Sequence, residues 1–294
     1  MKILFIGTVV SSCKALEKLL EIKANVVGVI TKEKSPYNAD YADLTPLCDK
    51  HNIPYRFTTN INSPEDIEWM KSFAPDILFC FGFSALLKDE VLNLAPKGVI
   101  GFHPAHLPKN RGRHPIIWAL TLGLEETGVS FFFMDEGADS GDLLSQEVIP
   151  ISYDDDAQTL YERIVASALC QIETFVPALS NGTNQRIIQD HSLANYWRKR
   201  SKDDGKIDFR MSSRSVYNLV RALTRPYRGA HLVYSDREIT VWKVQEIQCD
   251  SKNFEPGKIL RVSDEGIDIK CGEGAVRLLE HSFEVLPQKD EYCS

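Results

Sequence analysis

Three short apolar runs punctuate the opening of the chain: Lys2–Ile6, which ends at Gly7, Asn25–Ile30 and Asp76–Phe81. Segments of helical character separate them. Ser11–Ile22 sets Leu16, Leu19 and Leu20 at helical spacing, and Ser63-Pro64 with Asp66 in the first turn reads as a capped helix start running to about Phe73. Leu44–His51 and Ile53–Phe57 add a short helix and a short strand. This alternation predicts a mostly parallel sheet with helices on both faces. Ligands of such sheets sit at the carboxyl ends of the strands.

The pattern then changes. Val99–Phe102 reads as a strand, His103–His114 as a polar loop and Pro115–Leu122 as a helix. Gly128–Met134 and Leu143–Ile151 read as strands whose short connection leaves no room for a helical crossover, so this part is antiparallel or mixed. Asp155 or Asp156 caps a long helix towards Leu179. After a turn-rich break at Asn181–Asn184, residues 191–210 are polar and read as a linker, and Ser212–Leu223 as a helix. Five β-like runs follow, from His231–Tyr234 to Ala275–Leu279, separated by turn signals, which suggests a small β-barrel or sandwich. The expected division is 1–190, a linker at 191–210, and 211–294.

Composition narrows the class. Hydrophobic residues make up 43% of 294, enough for a full core, and no apolar run approaches a bilayer span. The N-terminus lacks the h-region of a signal peptide. Seven scattered cysteines without CxxC spacing predict reduced thiols and a cytoplasmic location. With 34 Lys+Arg against 41 Asp+Glu the formal charge is −7, which disfavours nucleic acid. Residues 195–228 run the other way: ten Lys and Arg stand against Asp203, Asp204 and Asp208, a local +7. A solvated linker and helix face would also account for that stretch.

Two segments are dense in reactive groups. Gly101–His114 holds three of the seven histidines and follows a strand, where a parallel sheet presents chemistry. Met134–Asp142 packs four carboxylates around two glycines. Either alone is also what an ordinary loop or turn looks like. A carboxylate beside a histidine orients or charges the imidazole. No metal-ligand spacing, dinucleotide fingerprint, phosphate loop or nucleophile elbow occurs, and no metal is expected.

The stretch Phe102-His-Pro-Ala-His-Leu-Pro-Lys-Asn-Arg-Gly-Arg, then Trp118, Glu125-Glu-Thr-Gly and Gly137-Ala-Asp-Ser-Gly-Asp-Leu-Leu-Ser-Gln resembles the folate-dependent formyltransferase family. That family includes glycinamide ribonucleotide, methionyl-tRNA and nucleotide-sugar formyltransferases. Phe81–Leu87, Asp203–Phe209 and Leu219–Leu223 extend the likeness. The resemblance implies a Rossmann-like α/β domain with a mixed, mostly parallel sheet, then a small β-rich domain like an OB barrel. It implies N10-formyltetrahydrofolate as formyl donor, His103 as oxyanion stabiliser and proton donor, and Asp139 as its partner in relaying the amine proton. Phe83, Ala85, Leu86, Leu87, Leu107 and Asp135, Glu136, Gly137, Ala138 would border the folate. His106, Lys109, Asn110, Arg111 and Arg113 would meet the acceptor. One position departs from the motif: Gly101 stands where the family has Asn. A donor elsewhere, such as Asn110, His106 or a water, would then be required, and Gly101→Asn is the corresponding test.

Three acceptors compete: a tRNA, an amino sugar, and glycinamide ribonucleotide, whose enzymes would be expected to end near residue 210 without the β-rich tail. The −7 charge and the absence of a strongly basic loop at 31–43 favour an amino sugar, carried on a nucleotide, over a tRNA. The aromatics Tyr37, Tyr41, Tyr196 and Trp197 offer stacking surfaces for a base or sugar. The expected role is formylation of a primary amine in surface polysaccharide synthesis, without a membrane partner; a homodimer stays open. Methionyl-tRNA formylation and a folate-binding pseudoenzyme with Gly101 as its lesion are the alternatives, and a formyl-releasing hydrolase is a third.

Overall fold

The computed structural model describes residues 1–34, 40–249 and 252–294. Tyr37 and the rest of residues 35–39 in the 31–43 loop lie outside the described residues.

Strands β1 (Lys2–Gly7), β2 (Asn25–Thr31), β3 (Tyr55–Phe57), β4 (Ile77–Phe81) and β5 (Val99–His103) alternate with helices α1 (Val10–Glu21), α2 (Thr45–His51), α3 (Pro64–Ser72) and α4 (Asp89–Leu92). The Ser63 hydroxyl caps α3 by accepting the Asp66 N–H at 3.3 Å. β6 (Arg111–Gly112), α5 (Pro115–Thr121), β7 (Glu126–Phe133), β8 (Leu143–Pro150) and α6 (Ala157–Asn181) follow. The seven-stranded sheet has the order β3-β2-β1-β4-β5-β7-β8. Its first five strands pair in parallel, and β7 lies antiparallel to β5 with Gly101 opposite Phe132. β8 follows β7 after a connection too short for a helical crossover.

One face of this sheet packs Leu4, Ile6, Leu78 and Val99 against Ile67 and Met70 of α3 and Val91 of α4. On α6, Phe175 packs at 4.8 Å from Phe131, which lies 5.2 Å from Phe81. Such ring pairs contribute ~0.5–1.5 kcal/mol beyond their buried area. This core fixes the carboxyl ends of β4 and β5, where the reactive loop begins.

The chain forms two compact units. The first holds residues 1–112, 127–149 and 162–197, the second 113–126, 150–161 and 198–294. The expected linker is ordered: it contains strand β9 (Tyr196–Trp197) and two 3-10 turns, His191–Leu193 and Asp203–Gly205. In the second unit α7 (Ser213–Leu223) covers an antiparallel sheet of β10 (Ala230–Tyr234), β11 (Arg237–Ile247), β12 (Ile259–Ser263), β13 (Gly266–Lys270) and β14 (Ala275–His281), in the order β10-β11-β14-β13-β12. Val216, Leu219 and Val220 of α7 pack on Leu232, Val241 and Leu278.

Arg221 explains why residues 150–161 join this unit. Its buried guanidinium donates to the carbonyls of Ser152, Tyr153 and Asp155 at 2.9–3.0 Å, and Tyr153 stacks on Tyr217 at 4.8 Å. Three backbone acceptors from a distant segment leave no local sequence signal. Among the described residues no helix is long and apolar enough to cross a membrane.

Candidate active site

His103 is the last residue of β5 and is 5% exposed. Its Nε2 lies 2.8 Å from the Asn110 carbonyl. A carbonyl only accepts, so Nε2 carries hydrogen in either charge state and Nδ1 is the nitrogen free to exchange a proton. Nδ1 faces Asp139 Oδ2 at 3.6 Å, too long for a hydrogen bond but within ion-pair range. The same Oδ2 accepts the Gly112 N–H at 2.8 Å. Asp139 itself sits at φ 55°, a left-handed conformation that Asp tolerates better than most residues.

Gly112 is forced by a close approach. At φ 102°, an added Cβ would lie 2.4 Å from the Trp197 carbonyl, where β6 runs beside β9. The two conspicuous segments of the sequence are thus brought together through Gly112, with His103 and Asp139 facing each other. The turn at 105–107 is braced from β7 and β8: Ser130 Oγ donates to the Ala105 carbonyl at 2.7 Å, and Gln146 Nε2 to the Leu107 carbonyl at 2.8 Å.

Gly101 is occupied territory. An added Cβ would come within 2.8 Å of both the Phe132 ring and Met134 Cγ. The Phe132 ring, in cluster with Leu107, Leu143 and Met134, fills the volume that an Asn side chain would need. Gly101→Asn, the test that the sequence suggests for the missing donor, therefore overfills the core with this packing.

Leu86 is 69% exposed, Leu87 buried, and Glu136 exposed. Together with Lys88, Asp89 and Glu90 they line an open pocket of about 410 Å³. Phe83 is half-buried under Lys32 Nζ, 4.9 Å from its ring centre, and Ala85, Asp135, Gly137 and Ala138 are exposed. Asp135 Oδ1 accepts from the Gly137 N–H and the Ser140 hydroxyl, which shapes the turn. Leu107 is buried in the Phe132 cluster.

The acceptor-side residues divide. Lys109 and Arg113 are exposed, and His106 and Asn110 half-buried. Arg111 is corrected: expected to meet substrate, it is 1% exposed and its guanidinium points inward. It donates to Tyr196 Oη at 2.8 Å and Gln189 Oε1 at 2.7 Å, with His191 Nδ1 at 3.1 Å. Tyr41 is committed too, its hydroxyl bonding the carbonyls of Lys32 and Glu33. Tyr196 remains 60% exposed.

Residues 1–171 match the formyl transferase family, and residues 199–287 match its C-terminal domain. The chain belongs to the formyl transferase family. These are folate-dependent one-carbon transfer enzymes. Across 97% of its length it is 32% identical to methionyl-tRNA formyltransferase of Geobacter sulfurreducens, covering 90% of that protein. Two solved structures share the fold. WlaRD, a sugar 3N-formyl transferase crystallised in the presence of dTDP and 5-N-formyl-THF, has a TM-score of 0.73 at 17% identity, over 97% of this chain and 99% of that one. The N-formyltransferase of Helicobacter canadensis, in complex with folinic acid and dTDP-3-aminofucose, has a TM-score of 0.72 at 18% identity, over 95% and 99%.

Two residues that contact the loops carrying His103 and Asp139 have no obvious mark in the sequence. Gln189 and Asn195 lie in or beside what looks like a polar linker. Gln189 is buried, and Asn195 Oδ1 accepts the Asn110 N–H at 2.8 Å. Their only sequence signal is negative: the chain between α6 and α7 is longer than a simple connection needs. Among the described residues no cluster of three or more His, Cys, Asp or Glu is arranged for a metal ion.

Proposed function

We propose that this formyl transferase moves a formyl group from N10-formyltetrahydrofolate to the primary amine of a nucleotide-linked amino sugar, with His103 and Asp139 as the reacting pair. The observation that carries the acceptor class is the state of the cations at 198–228. Arg198 pairs with Asp204, Lys202 with Glu238, Arg210 with Asp208, Arg214 with Glu246 and Arg225 with Glu280, while Arg221 is spent on backbone carbonyls. Three acids from elsewhere in the second unit, Glu238, Glu246 and Glu280, lower the local +7 to +4, and half of the ten cations are held in ion pairs. A tRNA-binding face needs cations free to replace counterions. The fold also accommodates sugar acceptors, since solved relatives of the same span are sugar N-formyltransferases.

The open pocket lined by Leu86, Leu87 and Glu136 has a volume within the range of small-molecule sites, which supports a folate ring there. Bound there, the folate supplies a formyl carbon on N10. Asp139, with its carboxylate fixed by Gly112, takes the proton that the attacking amine must lose. The His103 imidazolium, held by the Asn110 carbonyl, presents Nδ1–H to the developing oxyanion and returns a proton as the C–N10 bond breaks. The proton taken up by Asp139 then crosses to His103 Nδ1, so one proton leaves the amine, one reaches N10 and the pair ends as it began. Asn110 sits on the same loop, and its carboxamide makes no hydrogen bond among the described residues. It is our substitute for the donor missing at Gly101.

A second reading, methionyl-tRNA as acceptor, is favoured by the 32% identity and by one cationic cluster. Trp118 lies under Arg198 and Arg200, at 5.2 and 4.8 Å, and burial with the charges of Arg113, Arg200 and Lys199 holds His114 below its ordinary pKa. Assaying formyl transfer to amino-sugar nucleotides and to methionyl-tRNA side by side separates the readings; turnover on the tRNA alone rejects the sugar.

A further inference from the structure

Gln189 is 3% exposed, and every hydrogen-bonding group of its carboxamide is used on the two active-site loops. Nε2 donates to the Asp139 carbonyl at 3.0 Å and the Gly141 carbonyl at 2.6 Å. Oε1 accepts from Arg111 Nη2 at 2.7 Å. One side chain therefore ties the carboxylate-bearing turn to the histidine-bearing loop.

The consequences reach the reacting atoms by short steps. Asp139 occupies a backbone conformation sparsely populated by L-residues, so its carboxylate points at Gly112 and His103 only while the turn is held. The carbonyls of Asp139 and Gly141 flank the catalytic turn, and Gln189 is the side chain that holds both. On the opposite side Asn195 does the corresponding work: its backbone carbonyl accepts the Arg111 N–H at 3.0 Å, and its side chain accepts the Asn110 N–H. The Asn110 carbonyl in turn orients His103. Residues 189–197 form a strap whose polar contacts, with Gln189 buried among them, converge on the His103–Asp139 pair.

We propose that Gln189 is a positioning residue that acts through Asp139, setting the rate of formyl transfer rather than the affinity for either substrate. This rests on the reading of Asp139 and His103 as the reacting pair. An amide N–H donated to a carbonyl can be lost without changing any surface that meets folate or amine, whereas a shift of about 1 Å in a catalytic group costs ~100-fold.

The test is a double-mutant cycle in the full chain, using whichever amine the wild type formylates, methionyl-tRNA included, so that a wrong acceptor assignment leaves it intact. Gln189→Met is expected to lower kcat by ~30–100-fold, with KM for donor and acceptor within ~3-fold. In Gln189→Met with Asp139→Asn, no loss is expected beyond that of Asp139→Asn alone. Gln189→Glu keeps an acceptor for Arg111 but removes both donors, and is expected to lose as much as Gln189→Met. It also carries the comparison if the Met variant melts below the assay temperature. A multiplicative double-mutant loss, a raised KM at unchanged kcat, or near wild-type turnover of both variants overturns the proposal alone. An Asp139→Asn enzyme of full rate removes the site reading and this proposal with it.

Discussion

In residues 103–142 polar groups are turned toward one another across two loops: His103 and Asp139 stand at 3.6 Å, and Gly112, Asn110 and Gln189 hold them from three sides. In residues 198–228 polar groups are equally dense, but five of the ten cations, Arg198, Lys202, Arg210, Arg214 and Arg225, are tied to acids and Arg221 to backbone carbonyls. Arg198 and the Ser201 N–H and hydroxyl hold the Asp204 carboxyl well below the usual range, and Arg210 holds Asp208 at about 2. The first arrangement sets a histidine nitrogen and a carboxylate oxygen face to face. The second ties about half of its cations to acids and so offers a polyanion less charge than the sequence count suggests. Charge density in a sequence says nothing of which outcome the fold produces; the partners decide it.

The sharpest way to break this contrast is to remove the facing groups. His103→Ala and Asp139→Asn are each expected to cut kcat by ~10²–10⁴-fold with the thermal midpoint nearly unchanged, measured by formyl transfer and melting. Gly112→Ala should act through the same geometry. Its Cβ would strike the Trp197 carbonyl, so both activity and stability fall. Gly101→Asn comes next. The clash with Phe132 and Met134 predicts a loss of ~1–3 kcal/mol in stability and no gain in rate. Pairing it with Phe132→Ala, which empties the contested space, should recover part of that stability.

Smaller effects are expected in the paired region. Lys199→Glu with Arg198→Glu, both exposed, should change amino-sugar turnover by less than ~3-fold, because these surface positions hold no reacting group. A drop of tenfold or more confined to methionyl-tRNA would instead mark that face as an RNA site. The pH dependence has a defined sign. His114 and Asp204 both have folded-state pKa values below their ordinary 6.5 and 3.8, so the unfolded chain binds their protons first. Stability of the second unit should therefore decline as pH falls below about 6.5 and again below about 3.8, as read by chemical denaturation across pH. Asp204→Asn should flatten the lower step.

Much of the fold was legible because its signals are local. The strands β1, β2, β4 and β5 are apolar runs ended by turns, and Ser63 and Ser212 cap their helices as their spacing suggests. The pairing of His103 with Asp139 followed from family resemblance, and the structure brings the two side chains together. What stayed hidden is long-range. Arg111 looks like a substrate contact until Gln189, His191 and Tyr196, some eighty residues away, are seen to claim it. Phe132 reads as one more strand residue until its ring is found filling the space beside Gly101. The strap at 189–197 reads as linker because a polar segment that satisfies another loop's backbone has the composition of one that satisfies water.

The most direct test is transfer of labelled formyl from N10-formyltetrahydrofolate to a panel of nucleotide-linked amino sugars, with methionyl-tRNA in parallel, by wild type and Asp139→Asn. The account predicts turnover on at least one amino sugar that falls by ~100-fold or more in Asp139→Asn. Turnover on methionyl-tRNA alone, or an Asp139→Asn enzyme at full rate, would contradict it.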